Sequence, residues 1–156
     1  MKTYQSFGAL ARQLERASLR LEDSLGAAME AAATLVEATA KAEIGHYQTS
    51  GMGPFTAWAP LKPATVAEKR RLGYADAEND NPELRTGEMR DSIGHSYDFG
   101  NFTFTVGSTS EIAVYQELGT ANGLPPRPFL GAALYRNVDP IRKLIGATLE
   151  TTLAGK

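Results

Sequence analysis

The chain has 156 residues, enough for one domain that buries a sizeable core. Its 42% hydrophobic and 22% charged content is ordinary for a globular protein, and a net charge of −2 argues against a dedicated nucleic-acid binder, though not against a lining for a DNA passage. Without cysteine there is no disulfide framework and no thiolate zinc site, and no uncharged apolar run approaches the ~20 residues of a membrane span. Met1 to Arg16 lacks the apolar core of a secretion signal, so the Asn101-Phe102-Thr103 sequon is a chance match. The expectation is a single domain, 1–156, made in a cytoplasm.

The first element is the strongest. Phe7, Leu10, Leu14, Ala17, Leu21, Leu25, Ala28, Ala32, Leu35 and Thr39 recur at steps of three and four, which predicts a long helix over 7–44. Ser6 suits its N-cap and Gly45 its C′ position. Such a helix, about 57 Å at ~1.5 Å per residue, is longer than one small domain covers, so part of its stripe should pack on another chain. Leucines dominate before Leu25 and alanines from Ala27 to Ala42. The alanine half fits either close packing on a neighbour or a crowded crossing of the chain's own core.

Residues 45–85 read as loop-rich with one short helix. Gly51, Gly53, Pro54, Pro60 and Pro63 disfavour regular structure, and Trp58 and Leu61 would pin the loop. Thr65 and Glu68 have capping-box spacing, and Gly73 can end that helix. The segments 45–63 and 73–83 are expected to be mobile until a partner orders them.

Residues 86–130 read as a hairpin core and a proline loop. Thr86 would cap a short helix through Ile93, its hydroxyl reaching the Glu88 or Met89 amide. Phe102, Phe104 and Val106 then alternate with threonines, Tyr97 and Phe99 belong to the partner strand, and Asp98 to Asn101 forms the turn. Two strands are marginal, so a third strand or a helix must cover them. After Gly107, Ser108 and Glu111 again have capping-box spacing, with Ile112, Tyr115 and Leu118 on the inward face and Gly119 as the stop. Residues 131–156 are C-terminal helix, with Phe129 to Asn137 and Pro140 to Leu153 as two segments and Pro140 in a first-turn position. The fold class is α+β: a small, mainly antiparallel sheet, a long N-terminal helix and several short helices.

The chemistry-bearing residues form no catalytic or metal constellation. Glu43 and His46 have a metal-site offset but lack the second pair and the facing carboxylates. Asp91, His95 and Ser96 crowd too closely in sequence for a triad, and no Gly-x-Ser-x-Gly turn is present. Gly51-Met52-Gly53-Pro54 lacks the rest of a phosphate loop, and Lys69-Arg70-Arg71 reads as a solvated face. Glu117 and Arg127 are candidates for a buried or intersubunit ion pair. No enzyme activity, metal or cofactor is expected.

The motifs occur in a telling order: Trp58-Ala59-Pro60-Leu61, Thr65 and Lys69, Leu84-Arg85-Thr86-Gly87-Glu88-Met89-Arg90-Asp91-Ser92-Ile93, Val106-Gly107-Ser108, Tyr115-Gln116-Glu117-Leu118-Gly119-Thr120, and Pro125-Pro126-Arg127-Pro128-Phe129-Leu130. Over roughly residues 55 to 135 this series resembles the virion-morphogenesis and tail-completion proteins of tailed phages, including Mu-like and lambda-like phages and prophages. The polar insert from Tyr74 to Pro82 departs from it. The resemblance implies a structural protein of the virion, at the head–tail junction or the head-proximal tail end, assembled in a host bacterial cytoplasm. Its partners would be further copies of itself in a ring such as a hexamer, the head connector or neck proteins, and the tail tube or tail terminator. DNA would be passing cargo, and no membrane is involved.

On this reading the interface residues are Trp58, Leu61, Tyr115, Glu117, Pro126, Arg127, Pro128, Phe129 and Leu130, with caps and turns at Thr65, Thr86, Gly87, Gly107, Ser108 and Gly119. The prolines would stiffen the loop so that Phe129 and Leu130 arrive as a preset apolar anchor. The rival readings are a tail-tube or minor tail protein away from the neck, a small hydrolase or nuclease, and a coiled-coil adaptor.

Overall fold

The computed structural model describes residues 6–49, 51–74 and 80–154. Helix α1, Phe7–Glu43, runs for 37 residues, about 55 Å at ~1.5 Å per residue. Ser6 opens it, its hydroxyl accepting the Ala9 amide at 3.2 Å. Ile44 closes it, and Gly45 follows at φ +94. Both ends carry the residues expected of them.

Helix α2, Pro63–Arg71, starts earlier than its capping-box reading. Pro63 supplies the first turn, where a missing N–H costs nothing, and Thr65 lies inside the helix rather than at its cap. Its far end closes as expected. Gly73 sits at φ +76, with its amide on Arg70 O and the Tyr74 amide on Lys69 O, the paired bonds of a Schellman motif.

Helix α3, Glu88–Asp91, is only four residues long, and Ile93 already belongs to the sheet. Gly87 at φ +92 is its N-cap; Thr86 stands one residue earlier, yet its hydroxyl accepts the Glu88 amide at 3.3 Å. Strands β1, Ile93–Asp98, and β2, Thr103–Ser108, form a two-stranded antiparallel sheet in the register Ile93↔Ser108 to Asp98↔Thr103. In the turn Asp98 Oδ1 accepts the Gly100 amide at 2.8 Å. Phe99 lies in this turn rather than in β1, with its ring edge-on to Tyr97 and against Gly26 of α1. A methyl at Gly26 would come within 2.9 Å of that ring, so the small residue sets how closely the hairpin tip approaches α1.

Helix α4, Glu111–Leu118, begins after Ser110, not at Ser108. Ser108 ends β2, where its hydroxyl accepts the Ser110 amide at 3.0 Å and shares a 2.7 Å bond with the Ser92 hydroxyl. Gly107 lies within β2 opposite Gly94 and makes no turn. The inward face of α4 also differs from expectation: Ala113 is buried, while Ile112, Tyr115 and Leu118 are at least half exposed. Helix α5, Leu130–Ala154, is one continuous helix with Pro140 inside it. The carbonyl that Pro140 leaves without a helical donor belongs to Arg136, an exposed residue that water reaches.

The alanine half of α1 crosses the chain's own core. α5 and the hairpin both pack on it, and Val36, Ala40, Ile44, Trp58, Met89, Ile93, Ala113, Phe129 and Ala133 form one buried cluster. Asn137 Nδ2 ties the two long helices together, donating to Thr39 Oγ1 and to Ala133 O, each at 2.8 Å. The leucine half is different. Every residue from 11 to 20 is exposed, and Phe7, Leu14 and Leu19 are 92%, 62% and 56% exposed.

Candidate functional site

Residues from the sequence motifs, Val106-Gly107-Ser108 excepted, line one cleft of about 1050 Å³. The segment 59–62 forms one wall and Thr65 and Lys69 of α2 the next. Residues 83–89 and Ser92 lie opposite, and Ser110, Ile112 and Gln116 with the loop 122–127 complete it. Apolar surface from Leu61, Leu84, Met89, Ile112 and Leu124 alternates with charge.

Two cations lie beneath this surface. Lys69 is 3% exposed, and its ammonium donates to Asp80 O at 2.6 Å and to Asn81 O. Burial pushes its pKa down. Lys69 is thus no part of a solvated face, although Arg70 and Arg71 beside it are exposed. Arg127 is also 3% exposed; its Nη2 donates to Ala59 O at 3.0 Å, and its Nε has no hydrogen-bond partner. Neither cation has a carboxylate within ion-pair distance among the described residues. Within the chain, Glu117 and Arg127 therefore form no buried ion pair; the intersubunit alternative concerns a second copy.

The carboxyl group of Glu83, which also lines the cleft, is held in its protonated form near neutral pH. Both carboxyl oxygens of Glu83 are buried without a partner, and burial pushes its pKa up to about 8 against the opposing pull of Arg127. Gln116 Oε1 is likewise buried and unpartnered. The backbone that delivers Glu83 is bent for the purpose: Asn81 and Glu83 take φ of +45 and +61 around the buried Pro82. It is held on three sides, by Lys69, by Tyr47 Oη donating to Asp80 Oδ2 at 2.7 Å, and by the Gly45 amide on Pro82 O at 2.9 Å. Within 73–83, expected to be mobile, residues 75–79 lie outside the described residues. The loop 45–63 is fastened by Trp58, buried and hydrogen-bonded through its amide to Gln48 O at 2.9 Å.

Glu117 has another partner. Its Oε2 accepts the amides of Phe129 and Leu130 at 2.8 and 2.9 Å, and its Oε1 that of Gly131 at 2.8 Å. A carboxylate on three free amides at the start of α5 meets the positive end of the helix dipole. Gly119, at φ +73, lets the chain turn so tightly that a Cβ would stand 2.7 Å from Leu124 O. The Arg127 amide donates to Gln116 O at 2.7 Å, fixing the proline loop on α4.

Of the expected interface residues, Trp58 and Phe129 are core, 5% and 0% exposed. Phe129 is not an outward anchor; the proline loop drives it inward. Leu61, Pro128 and Leu130 are half-buried, whereas Pro126 and Tyr115 are exposed. Sequence reasoning missed Lys69, Glu83 and Gln116. A glutamate after proline in a polar stretch gives no sign of burial. Of the two histidines, His46 is exposed near the Glu43–Arg136 ion pair, and His95 Nδ1 lies 2.5 Å from Glu37 Oε2. No three His, Asp or Glu side chains gather into a metal-binding group among the described residues.

A long helix crossing a two-stranded hairpin, with a cleft lined by four cations beside it, makes a small α+β protein. The chain belongs to the HK97-gp10-like family, whose model, described as "Bacteriophage HK97-gp10, putative tail-component", matches residues 8–119. No curated protein and no solved structure matches it. It is thus a bacteriophage tail component, in line with the motif resemblance, and among the described residues no helix is long and apolar enough to cross a membrane.

Proposed function

We propose that this tail component acts at the head–tail junction or the head-proximal end of the tail, as a ring of identical subunits with a structural rather than enzymatic role. One observation carries the reading: the leucine half of α1 projects past the core with Phe7, Leu14 and Leu19 exposed, and Leu153 near the end of α5 is 71% exposed. Large apolar side chains spaced along a helix and left uncovered within the chain mark a protein contact. A heterologous contact between identical subunits closes into a ring when its rotation allows. The head connector or neck proteins would lie on one face and the tail tube or terminator on the other, with DNA passing through.

The test is electron microscopy of particles made without this chain. The reading expects filled heads and full-length tails that stay separate. A block in tube formation would instead favour a component further down the tail.

A further inference from the structure

Lys69 and Arg127 are buried cations bonded to backbone carbonyls; among the described residues neither has a carboxylate in ion-pair distance, and Asp80 acts on Lys69 only from farther away. Buried charge without an ion-pair partner is expensive, and a low-dielectric cleft focuses its field outward. The cleft above them is also lined by the exposed Lys62 and Arg85, so four lining cations meet two lining carboxylates, Glu83 and Glu88, with Glu68 outside the lining 4.0 Å from Arg85. Burial keeps Glu83 protonated near neutral pH, which leaves the excess positive. The walls are otherwise apolar, and Ile112, 56% exposed, continues the apolar surface onto the outside of α4.

We propose that this cleft is a docking site for a short acidic peptide segment of another virion protein, with Asp or Glu side chains set among apolar residues. Charge and apolarity together select this occupant. A nucleic-acid backbone offers phosphates to the rim but nothing for the apolar walls. A second copy offers no matching charge from its exposed arm, where Arg12, Arg16 and Arg20 balance Glu15, Glu22 and Asp23. The inference rests on reading the chain as a joint between virion proteins, but its test uses the purified chain and stands apart from particle joining.

The full chain is used to select from a displayed library of random 12-residue peptides, and the enriched peptides are then made with a fluorescent label. Acidic, apolar-flanked peptides should emerge and bind at least tenfold more weakly to the Lys62→Glu/Arg85→Glu double variant. Changing the peptide's Asp and Glu to Asn and Gln should cost the same factor, an arm that needs no variant of the protein. Enrichment without acidic residues, or equal binding to the reversed rim, overturns the proposal. So does tighter binding of a 20-base-pair duplex that the rim reversal abolishes, or self-association of the chain that the same reversal abolishes.

Discussion

The carboxylate of Glu117, near the end of α4, accepts the amide of Phe129, at the start of α5, across 2.8 Å. With the Leu130 and Gly131 amides on the same carboxylate, this contact joins the short helix to the long one and sets the fully buried Phe129 ring in the core. Glu117→Ala would leave three helix-start amides without their acceptor. It should destabilise the chain by on the order of 2–4 kcal/mol, and Glu117→Gln, which keeps one oxygen, by about half as much. Urea unfolding followed by circular dichroism measures both.

Gly119 tests the turn that makes this contact possible. Its φ of +73 and the 2.7 Å approach of Leu124 O to a Cβ leave alanine both strained and crowded. Gly119→Ala should lose on the order of 2–3 kcal/mol, read as a lowered Tm. An unchanged Tm would mean the turn is looser than described.

Phe129 and Leu14 separate core from interface. Phe129→Ala should cost about 3–5 kcal/mol, since the ring is fully buried. Phe129→Asp should unfold the chain, and loss of particles with that variant would report folding alone. Leu14→Asp, on the exposed arm, should change stability by less than about 0.5 kcal/mol while abolishing self-association seen by light scattering.

Glu83 gives a pH signature. The folded chain holds its proton up to about pH 8, whereas the usual carboxyl releases it near 4.5. Between those values the folded state binds more protons, so stability falls as pH rises through this window and levels off above it. Glu83→Gln should flatten the fall by on the order of 3 kcal/mol between pH 5 and 9. Glu37 and Asp98, both lowered by their hydrogen bonds, titrate below this window and do not mask it.

Local signals were legible where the cause is local. Ser6 and Gly45 bound α1, Gly73 ends α2, and the alternation of Phe104 and Val106 locates β2, because caps and pleats depend on a few neighbouring residues. The errors arose where distant groups decide. α4 turns Glu117, with Gln116 beside it, inward instead of Ile112 and Tyr115, because the amides at the start of α5 need the Glu117 carboxylate as acceptor from that side. Pro140 reads as a helix start but sits mid-helix, because the carbonyl it forgoes belongs to an exposed residue. Lys69 is buried by a segment more than ten residues away, which no spacing within α2 signals.

The most direct test of the head-proximal assignment is to locate the chain in finished particles. A gold label on an epitope tag fused to the chain should appear as a single compact group where tail meets head. Label repeated along the tail tube, or confined to the distal tip, would contradict the account.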